Sequence, residues 1–251
     1  MEIRNTLIGD ISLRESTESL CLGTDSLLLS AYIRKNSGAM AIELGAGSGV
    51  VSLLVAKRKT LGHIKAVEIQ KELSRLCALN ITENGLGGAI EALCADARSL
   101  RPEDFPGISV IFANPPYMET GRGKESVSLS RNASRHEVFG GMREFAACAG
   151  RILKTGGRFY TVYRPDRLVT LFRSLSENRF SPKRMTFISL DPGHAPSSVL
   201  TEAVKDGSES LYITPTLYLK SADGCDSADA AYIYENGVFP PVFFNKQERR
   251  K

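Results

Sequence analysis

Short apolar strands that alternate with amphipathic helices between residues 24 and 178 constrain the fold of this sequence more than any other feature. Strands that alternate with helices of roughly 10 residues form a parallel sheet covered on both faces. Beyond residue 180 the apolar runs are separated only by short turn-rich links, which predicts antiparallel strands, including one over 230–237. We predict one α/β domain over residues 1–220 with a short amino-terminal cap (1–38), and a carboxy-terminal extension over 221–251 with a basic tail.

Composition and charge narrow the class of protein. The 251 residues are 42% hydrophobic and 24% charged with a net charge of +4, which is mildly basic and compatible with a nucleic-acid partner. The start lacks the pattern of a signal peptide, and no apolar run approaches the ~20 residues that cross a bilayer. The five cysteines and three histidines share no ligand spacing. We therefore expect a cytoplasmic protein without a membrane segment, a disulfide framework or a metal site.

A glycine-rich segment, IELGAGSGVV, stands between the first predicted strand of the sheet and the next helix. Gly45, Gly47 and Gly49 allow a ligand to approach the backbone closely at the switch point of such a sheet, and Ala46 belongs to the same loop. The dinucleotide fingerprint would require its third glycine at position 50, which is Val50. The loop therefore predicts a ligand site that need not cradle a pyrophosphate.

Acidic residues end three consecutive predicted strands beside this loop. Glu68 follows the loop by about 20 residues, where a carboxylate can accept hydrogen bonds from both ribose hydroxyls. Asp96 ends the third strand and can face the exocyclic amine of an adenine, and Glu43 adds an acceptor near a ligand amino group. The neighbouring Ile69 and Ala97 are assigned to the same site. A cofactor with an amine, a ribose and an adenine but no phosphate fits this set, and S-adenosylmethionine is that molecule.

The fourth strand ends in Asn114, Pro115, Pro116 and Tyr117, at the same edge of the sheet. The carboxamide oxygen of Asn114 and the carbonyl of Pro115 can accept the two N–H bonds of a planar nitrogen and aim its lone pair at a methyl group. Proline suits this position because it fixes φ and thus the direction of the carbonyl. Tyr117 can stack on the flat group that carries the nitrogen. We predict these four residues as the catalytic motif and assign Asn114 to the cofactor site as well.

With these motifs, E-L-G-A-G-S-G and N-P-P-Y, the chain resembles the class I methyltransferases of the N-P-P-Y type over roughly residues 20–220. The segments L-G-T-D-S-L-L-L, R-N-A-S-R-H-E and Y-R-P-D-R-L narrow the resemblance to bacterial tRNA(Val) adenine-N6-methyltransferases. The resemblance implies a Rossmann-like fold with a mostly parallel seven-stranded sheet, antiparallel carboxy-terminal strands and helices on both faces. It also implies that Thr24 and Asp25 close over the methionine end of S-adenosylmethionine, and that the acceptor is the adenosine 3′ of the anticodon.

Basic residues near the predicted motif fit an RNA partner. A polar segment directly follows N-P-P-Y, and a second basic segment follows the fifth strand of the alternating region. We predict a monomer that binds tRNA through Arg122, Lys124, Arg131, Arg135, Arg164 and Arg167.

Other functions use parts of the same pattern. A release-factor glutamine N5-methyltransferase shares the N-P-P-Y chemistry but carries an additional amino-terminal helical domain, and only about 20 residues precede the first predicted helix. An rRNA guanine-N2 methyltransferase is a second alternative, whereas a DNA adenine methyltransferase would need a recognition domain for which the chain has little room. Val50 disfavours an NAD-dependent oxidoreductase, and the intact motif from Asn114 to Tyr117 disfavours a non-catalytic nucleoside-binding module.

Overall fold

In the computed structural model, which describes residues 3–16, 23–116 and 140–244, a nine-stranded sheet lies between two layers of helices. A separate two-stranded hairpin precedes it. The strands are β1 (Ile3–Ile8), β2 (Ile11–Ser16), β3 (Asn36–Leu44), β4 (Leu61–Glu68), β5 (Ile90–Cys94), β6 (Ile108–Ala113), β7 (Arg158–Tyr163), β8 (Phe180–Ser189), β9 (Ser198–Lys205), β10 (Tyr212–Ile213) and β11 (Leu217–Tyr218). The helices are α1 (Thr24–Tyr32), α2 (Val50–Lys57), α3 (Lys71–Glu83), α4 (Met142–Ile152), α5 (Leu168–Glu177) and α6 (Ala228–Asn236).

The order of the strands confirms the predicted Rossmann-like class I architecture. The seven long strands run in the order β8-β9-β7-β6-β3-β4-β5, and β10 and β11 add two residues each beside β8. Only β9 runs antiparallel to its neighbours, whereas β10 and β11 pair with β8 in parallel. Of the carboxy-terminal strands that we predicted to be antiparallel, only β9 runs against both of its neighbours. Because the order reverses between β3 and β6, a crevice opens there at the carboxyl ends of the strands.

The strand predicted over 230–237 is wrong, because this segment forms helix α6. The hydroxyl of Ser227 accepts a hydrogen bond from the Ala230 amide at 3.1 Å, and Gly237 ends the helix with a φ of 66°. Ala230 and Ile233, three residues apart, are buried on one side. Capping residues and helical spacing therefore outweigh the β propensity of the tyrosines.

Two apolar clusters cover the two faces of the sheet. One contains residues from α1, α2 and α3, such as Leu28, Leu53 and Cys77, and the other contains residues from α4 and α5, such as Phe145 and Leu171. The first cluster also takes in residues 239 and 243 of the predicted carboxy-terminal extension, which are fully buried phenylalanines. These two phenylalanines therefore belong to the same core as α1 and α2.

A charged cluster lies inside the structure near the end of the sheet that holds β7, β8 and β9. The carboxylate of Glu202 is fully buried and accepts hydrogen bonds from Arg34 and Arg184 at 3.0 and 2.9 Å, and from Arg158. Arg184 is itself buried, and its guanidinium stacks 3.6 Å from the centre of the Tyr32 ring. Desolvation acts to raise the pKa of Glu202, but the three arginines outweigh it and hold that pKa below its usual range.

Candidate active site

The register of β3, β4 and β6 brings the predicted motifs to the same height at the carboxyl edge of the sheet. Leu44, the last residue of β3, pairs with Val67 of β4 on one side and with Ala113 of β6 on the other. The residues that follow these three, Gly45, Glu68 and Asn114, therefore emerge side by side at the carboxyl edge of the sheet. All three line one open cleft. The separate predictions from the glycine loop, the second strand and the N-P-P motif thus meet in one place.

All three loop glycines adopt a backbone that disfavours other residues. Their φ angles are 69° at Gly45, 56° at Gly47 and 87° at Gly49. A Cβ atom at Gly49 would lie 2.6 Å from the sulfur of Cys77 on α3, and one at Gly45 would lie 3.0 Å from the Phe145 ring on α4. The third glycine therefore stands at position 49 because the loop enters α2 there, directly over α3.

Glu68 links the glycine loop to the turn that follows β4, because each of its carboxylate oxygens accepts one backbone amide. Oε2 accepts the amide of Gly47 at 2.9 Å, and Oε1 accepts the amide of Gln70 at the same distance. The side chain is buried, with 5% exposure, and lines the cleft. Since each carboxylate oxygen has two lone pairs, Glu68 can also accept hydrogen bonds from two ligand hydroxyls.

Glu43 ties β3 to the first turn of α2. Its Oε2 accepts the amide of Ser52 at 3.0 Å and also the Ser52 hydroxyl. Burial raises the pKa of Glu43 to about 8, while the two hydrogen bonds from Ser52 act to lower it and the charge of Glu68 acts to raise it. Glu43 therefore lines the cleft as a group whose charge is suppressed by its surroundings.

Asp96 lies two residues beyond the end of β5 and outside the set of described residues that line the cleft. Its carboxylate accepts three side-chain hydrogen bonds from Arg98, at 2.7–3.0 Å, and the Arg98 amide at 2.8 Å. Hydrogen bonding from the Arg98 side chain holds the pKa of Asp96 below its usual range. The adjacent Ala97 is buried. Contact between Asp96 and an adenine amine requires that the amine share this carboxylate with Arg98.

Asn114 is half-buried directly after β6, and its Nδ2 donates to the hydroxyl of Ser26 at 3.3 Å. Pro115 is buried and Pro116 lines the cleft beside Asn114. Sequence reasoning missed Ser26, although it directly follows the predicted Thr24 and Asp25.

Thr24 is exposed, and the carboxylate of Asp25 accepts a hydrogen bond from the hydroxyl of Ser198 on β9 at 2.9 Å. Neither residue is part of the described cleft lining, whereas Ser26 is.

Several other lining residues were not predicted from the sequence. Phe145 from α4 and Leu73 from α3 supply apolar walls, and Gln70 adds a polar group beside Glu68. Of the predicted cofactor residues, the lining contains Glu43, Gly45, Ala46, Gly47, Glu68, Ile69 and Asn114. Leu73 and Phe145 read in the sequence as ordinary core positions of amphipathic helices, so no local pattern marks them.

The predicted RNA contacts are described in part. Arg164 is exposed after β7, and its guanidinium pairs with both oxygens of Asp166 at 3.0 Å. Arg167 is half-buried one turn later. Both follow a strand that ends at the edge where the cleft opens. Tyr117, Arg122, Lys124, Arg131 and Arg135 lie outside the described residues.

Within residues 3–16, 23–116 and 140–244, no group of three or more metal-binding side chains converges. In that same part of the chain, no helix has the length and apolar character needed to cross a membrane.

Comparison with known proteins assigns the family. Residues 16–171 match the methyltransferase small domain. The chain belongs to that family. A relative from Bacteroides fragilis, named tRNA1(Val) (adenine(37)-N6)-methyltransferase, is 28% identical over 180 residues, which cover 71% of this chain and 75% of the relative. The protein is therefore a methyltransferase, as its resemblance to that group predicted.

Solved structures confirm the fold. The crystal structure of a predicted O-methyltransferase from Agrobacterium tumefaciens superimposes with a TM-score of 0.69 and 19% identity, covering 86% of this chain and 98% of that one. A geranyl diphosphate methyltransferase in complex with S-adenosylmethionine (SAM) has a TM-score of 0.50 and 14% identity, covering 72% of this chain and 84% of the other. These likenesses support the class I arrangement of sheet and helices.

Proposed function

We propose that this methyltransferase uses S-adenosylmethionine to methylate the exocyclic N6 amine of an adenosine in tRNA, at the position 3′ of the anticodon of tRNA(Val). The observation that carries the proposal is the convergence of Gly45, Glu68 and Asn114 on one cleft. The name of the Bacteroides relative supports the choice of acceptor. We further propose that the protein acts as a cytoplasmic monomer and that residues 1–220 form its catalytic domain.

The residues of the cleft fit S-adenosylmethionine. Glu68 offers lone pairs to two ribose hydroxyls while it holds the loop, and the glycine backbone leaves room beside it. Val50 and Leu73 add apolar surface, and the described lining contains no lysine or arginine that would favour a phosphate. We assign Asp96 to the adenine amine, Glu43 to the neighbourhood of the ligand amino group, and the segment from Thr24 to Asp25 to the methionine end.

When bound, the cofactor supplies an electrophilic methyl group on a sulfonium. The protein positions the acceptor: the carboxamide oxygen of Asn114 and the carbonyl of Pro115 accept hydrogen bonds from the two N–H groups of N6. These hydrogen bonds favour a pyramidal nitrogen whose lone pair points at the methyl carbon. Ser26 accepts a hydrogen bond from Nδ2 of Asn114, which helps to fix the orientation of the carboxamide. Positioning of this kind accounts for most of the rate enhancement that the site must supply.

Nucleoside analysis tests the acceptor. Purified protein, S-adenosylmethionine and a tRNA(Val) transcript should yield one N6-methyladenosine, 3′ of the anticodon, as detected by mass spectrometry after nuclease digestion. A transcript with inosine at that position is the matched control and should remain unmodified, because inosine lacks the amine. Methylation of a release-factor glutamine or of rRNA guanine, with none on tRNA, would overturn the assignment.

Calorimetry tests the cofactor. Glu68→Ala should weaken S-adenosylmethionine binding by about 1–3 kcal/mol, because buried acceptors for the ribose and for the Gly47 amide are lost. Tight binding of NAD by the wild-type protein, with no affinity for S-adenosylmethionine, would refute the cofactor assignment.

A further inference from the structure

Helix α3 forms the floor beneath the glycine loop, and one of its side chains holds the loop from below. Asn80 is fully buried, and its Nδ2 donates to the carbonyl of Ser48 at 2.8 Å. Ser48 lies between Gly47 and Gly49 and lines the cleft. One turn earlier on α3, Cys77 lies under Gly49. The loop is therefore fixed from the β4 side by Glu68 and from the α3 side by Asn80.

The same carboxamide also holds the amino-terminal hairpin. Nδ2 of Asn80 donates to the carbonyl of Arg14 at 3.0 Å, and its Oδ1 accepts the Arg14 amide at 2.9 Å. On the edge of β2 that does not pair with β1, the side-chain amide of Asn80 thus makes the two hydrogen bonds that the backbone of a neighbouring strand would make. Asn80 thus bridges two segments, the hairpin and the glycine loop, that make no other hydrogen bond to each other among the described residues.

Asn84, which caps the carboxyl end of α3 one turn beyond Asn80, makes the same pair of bonds without reaching the loop. Its Oδ1 accepts the Ser12 amide at 2.9 Å, and its Nδ2 donates to the Ser12 carbonyl at 2.7 Å. A third bond returns to the carbonyl of Asn80 on the same helix. Asn80 and Asn84 therefore support β2 alike but differ in their contact with the glycine loop.

We propose that Asn80 is a positioning residue for the cofactor, which preorganises the glycine loop and links it to the amino-terminal hairpin. This inference rests on the proposed binding of S-adenosylmethionine at the loop. Three glycines give this loop more backbone freedom than other residues would, and freezing that freedom on binding lowers affinity. By holding the Ser48 carbonyl before the ligand arrives, Asn80 reduces this loss. Because linkage is reciprocal, bound cofactor also stabilises the hairpin through Arg14.

Paired variants test the positioning role. Asn80→Ala should raise the Kd for S-adenosylmethionine about tenfold, from the lost hydrogen bond and the loosened loop, while the control Asn84→Ala changes it less than twofold. Methyl transfer at saturating cofactor should be nearly equal in both variants. Where Asn80→Ala fails to fold, Asn80→Asp keeps the shape and the acceptor for the Arg14 amide but removes the donor to the carbonyls of Ser48 and Arg14, and it should raise the Kd by at least as much.

Hydrogen exchange supplies the second measurement. Added cofactor should slow exchange of the Arg14 amide more than that of the Ser12 amide, and Asn80→Ala should abolish this difference. Equal Kd values for the Asn80 and Asn84 variants, or no cofactor effect at Arg14, would overturn the inference. In either case the wild type still binds and transfers methyl groups, whereas a wild type that binds no S-adenosylmethionine would instead refute the proposed function.

Discussion

Replacement of Gly49 by alanine tests whether α3 dictates the conformation of the glycine loop. The substitution adds one methyl group at a position with a φ of 87°, and that methyl would lie 2.6 Å from the sulfur of Cys77. The left-handed backbone costs about 1–2 kcal/mol for alanine. Relief of the overlap requires α3 or the loop to move, which costs about 1–3 kcal/mol more. We expect Gly49→Ala to destabilise the protein by about 2–5 kcal/mol in total.

Gly47→Ala is the matched control because it shares the left-handed backbone but not the overlap. Its φ is 56°, and no described atom lies within 4 Å of the added Cβ. We expect a loss of only about 1–2 kcal/mol. Cys77→Ala in the Gly49→Ala background removes the clashing sulfur, so a double-mutant cycle should show a favourable coupling of about 1–3 kcal/mol.

Urea unfolding of the cofactor-free protein measures these free energies without any effect of ligand binding. Equal destabilisation by Gly47→Ala and Gly49→Ala, together with zero coupling between positions 49 and 77, would refute the reasoning. The loop glycines would then be set by the backbone alone, and α3 would have no part in shaping the loop.

Two further predictions concern buried carboxylates. Glu202→Gln should lower stability by about 3–5 kcal/mol in urea unfolding, because it leaves the buried Arg184 without its counter-charge. The wild type should lose this contribution as the pH falls below about 4.5, since the folded pKa of Glu202 is depressed. Glu43 behaves oppositely: its folded pKa of about 8 gives stability that is present below pH ~4.5 and lost as the pH rises through 8. Glu43→Gln should therefore flatten the decline in stability between pH 5 and 9, and an unchanged slope would contradict the raised pKa.

The sequence predicted the parts of the site that follow from strand order. In a parallel sheet the residues after each strand meet at one edge, so Gly45, Glu68 and Asn114 could be grouped from their positions along the chain alone. The register of β3 with β4 and β6 places the three residues side by side at that edge. The predicted end of β5 was less accurate, because the strand ends at Cys94 and not at Asp96. Asp96 instead pairs with Arg98 and lies outside the described lining of the cleft.

Contacts between residues that are far apart in the sequence could not be predicted from local sequence patterns. Ser26 and Asn114 are 88 residues apart in sequence, and Asn80 and Arg14 are 66 apart, so nothing near either residue marks the contact. Ser26 and Asn80 are small polar residues on helices, for which a solvated or capping role is the ordinary interpretation. The amino-terminal hairpin escaped prediction for a related reason, because one edge of β2 is completed by side-chain amides of α3.

Single-turnover methyl transfer by Asn114→Ala tests the central claim most directly. Labelled S-adenosylmethionine and purified tRNA(Val) are mixed with excess enzyme, while calorimetry and urea unfolding record the cofactor affinity and stability of the same variant. We predict that methyl transfer is abolished, with cofactor affinity and stability close to those of the wild type, because the proposed partner of the side chain is the acceptor amine. A near-normal rate per folded molecule, accompanied by reduced stability, would show that the N-P-P segment is only a structural turn and would contradict the mechanism.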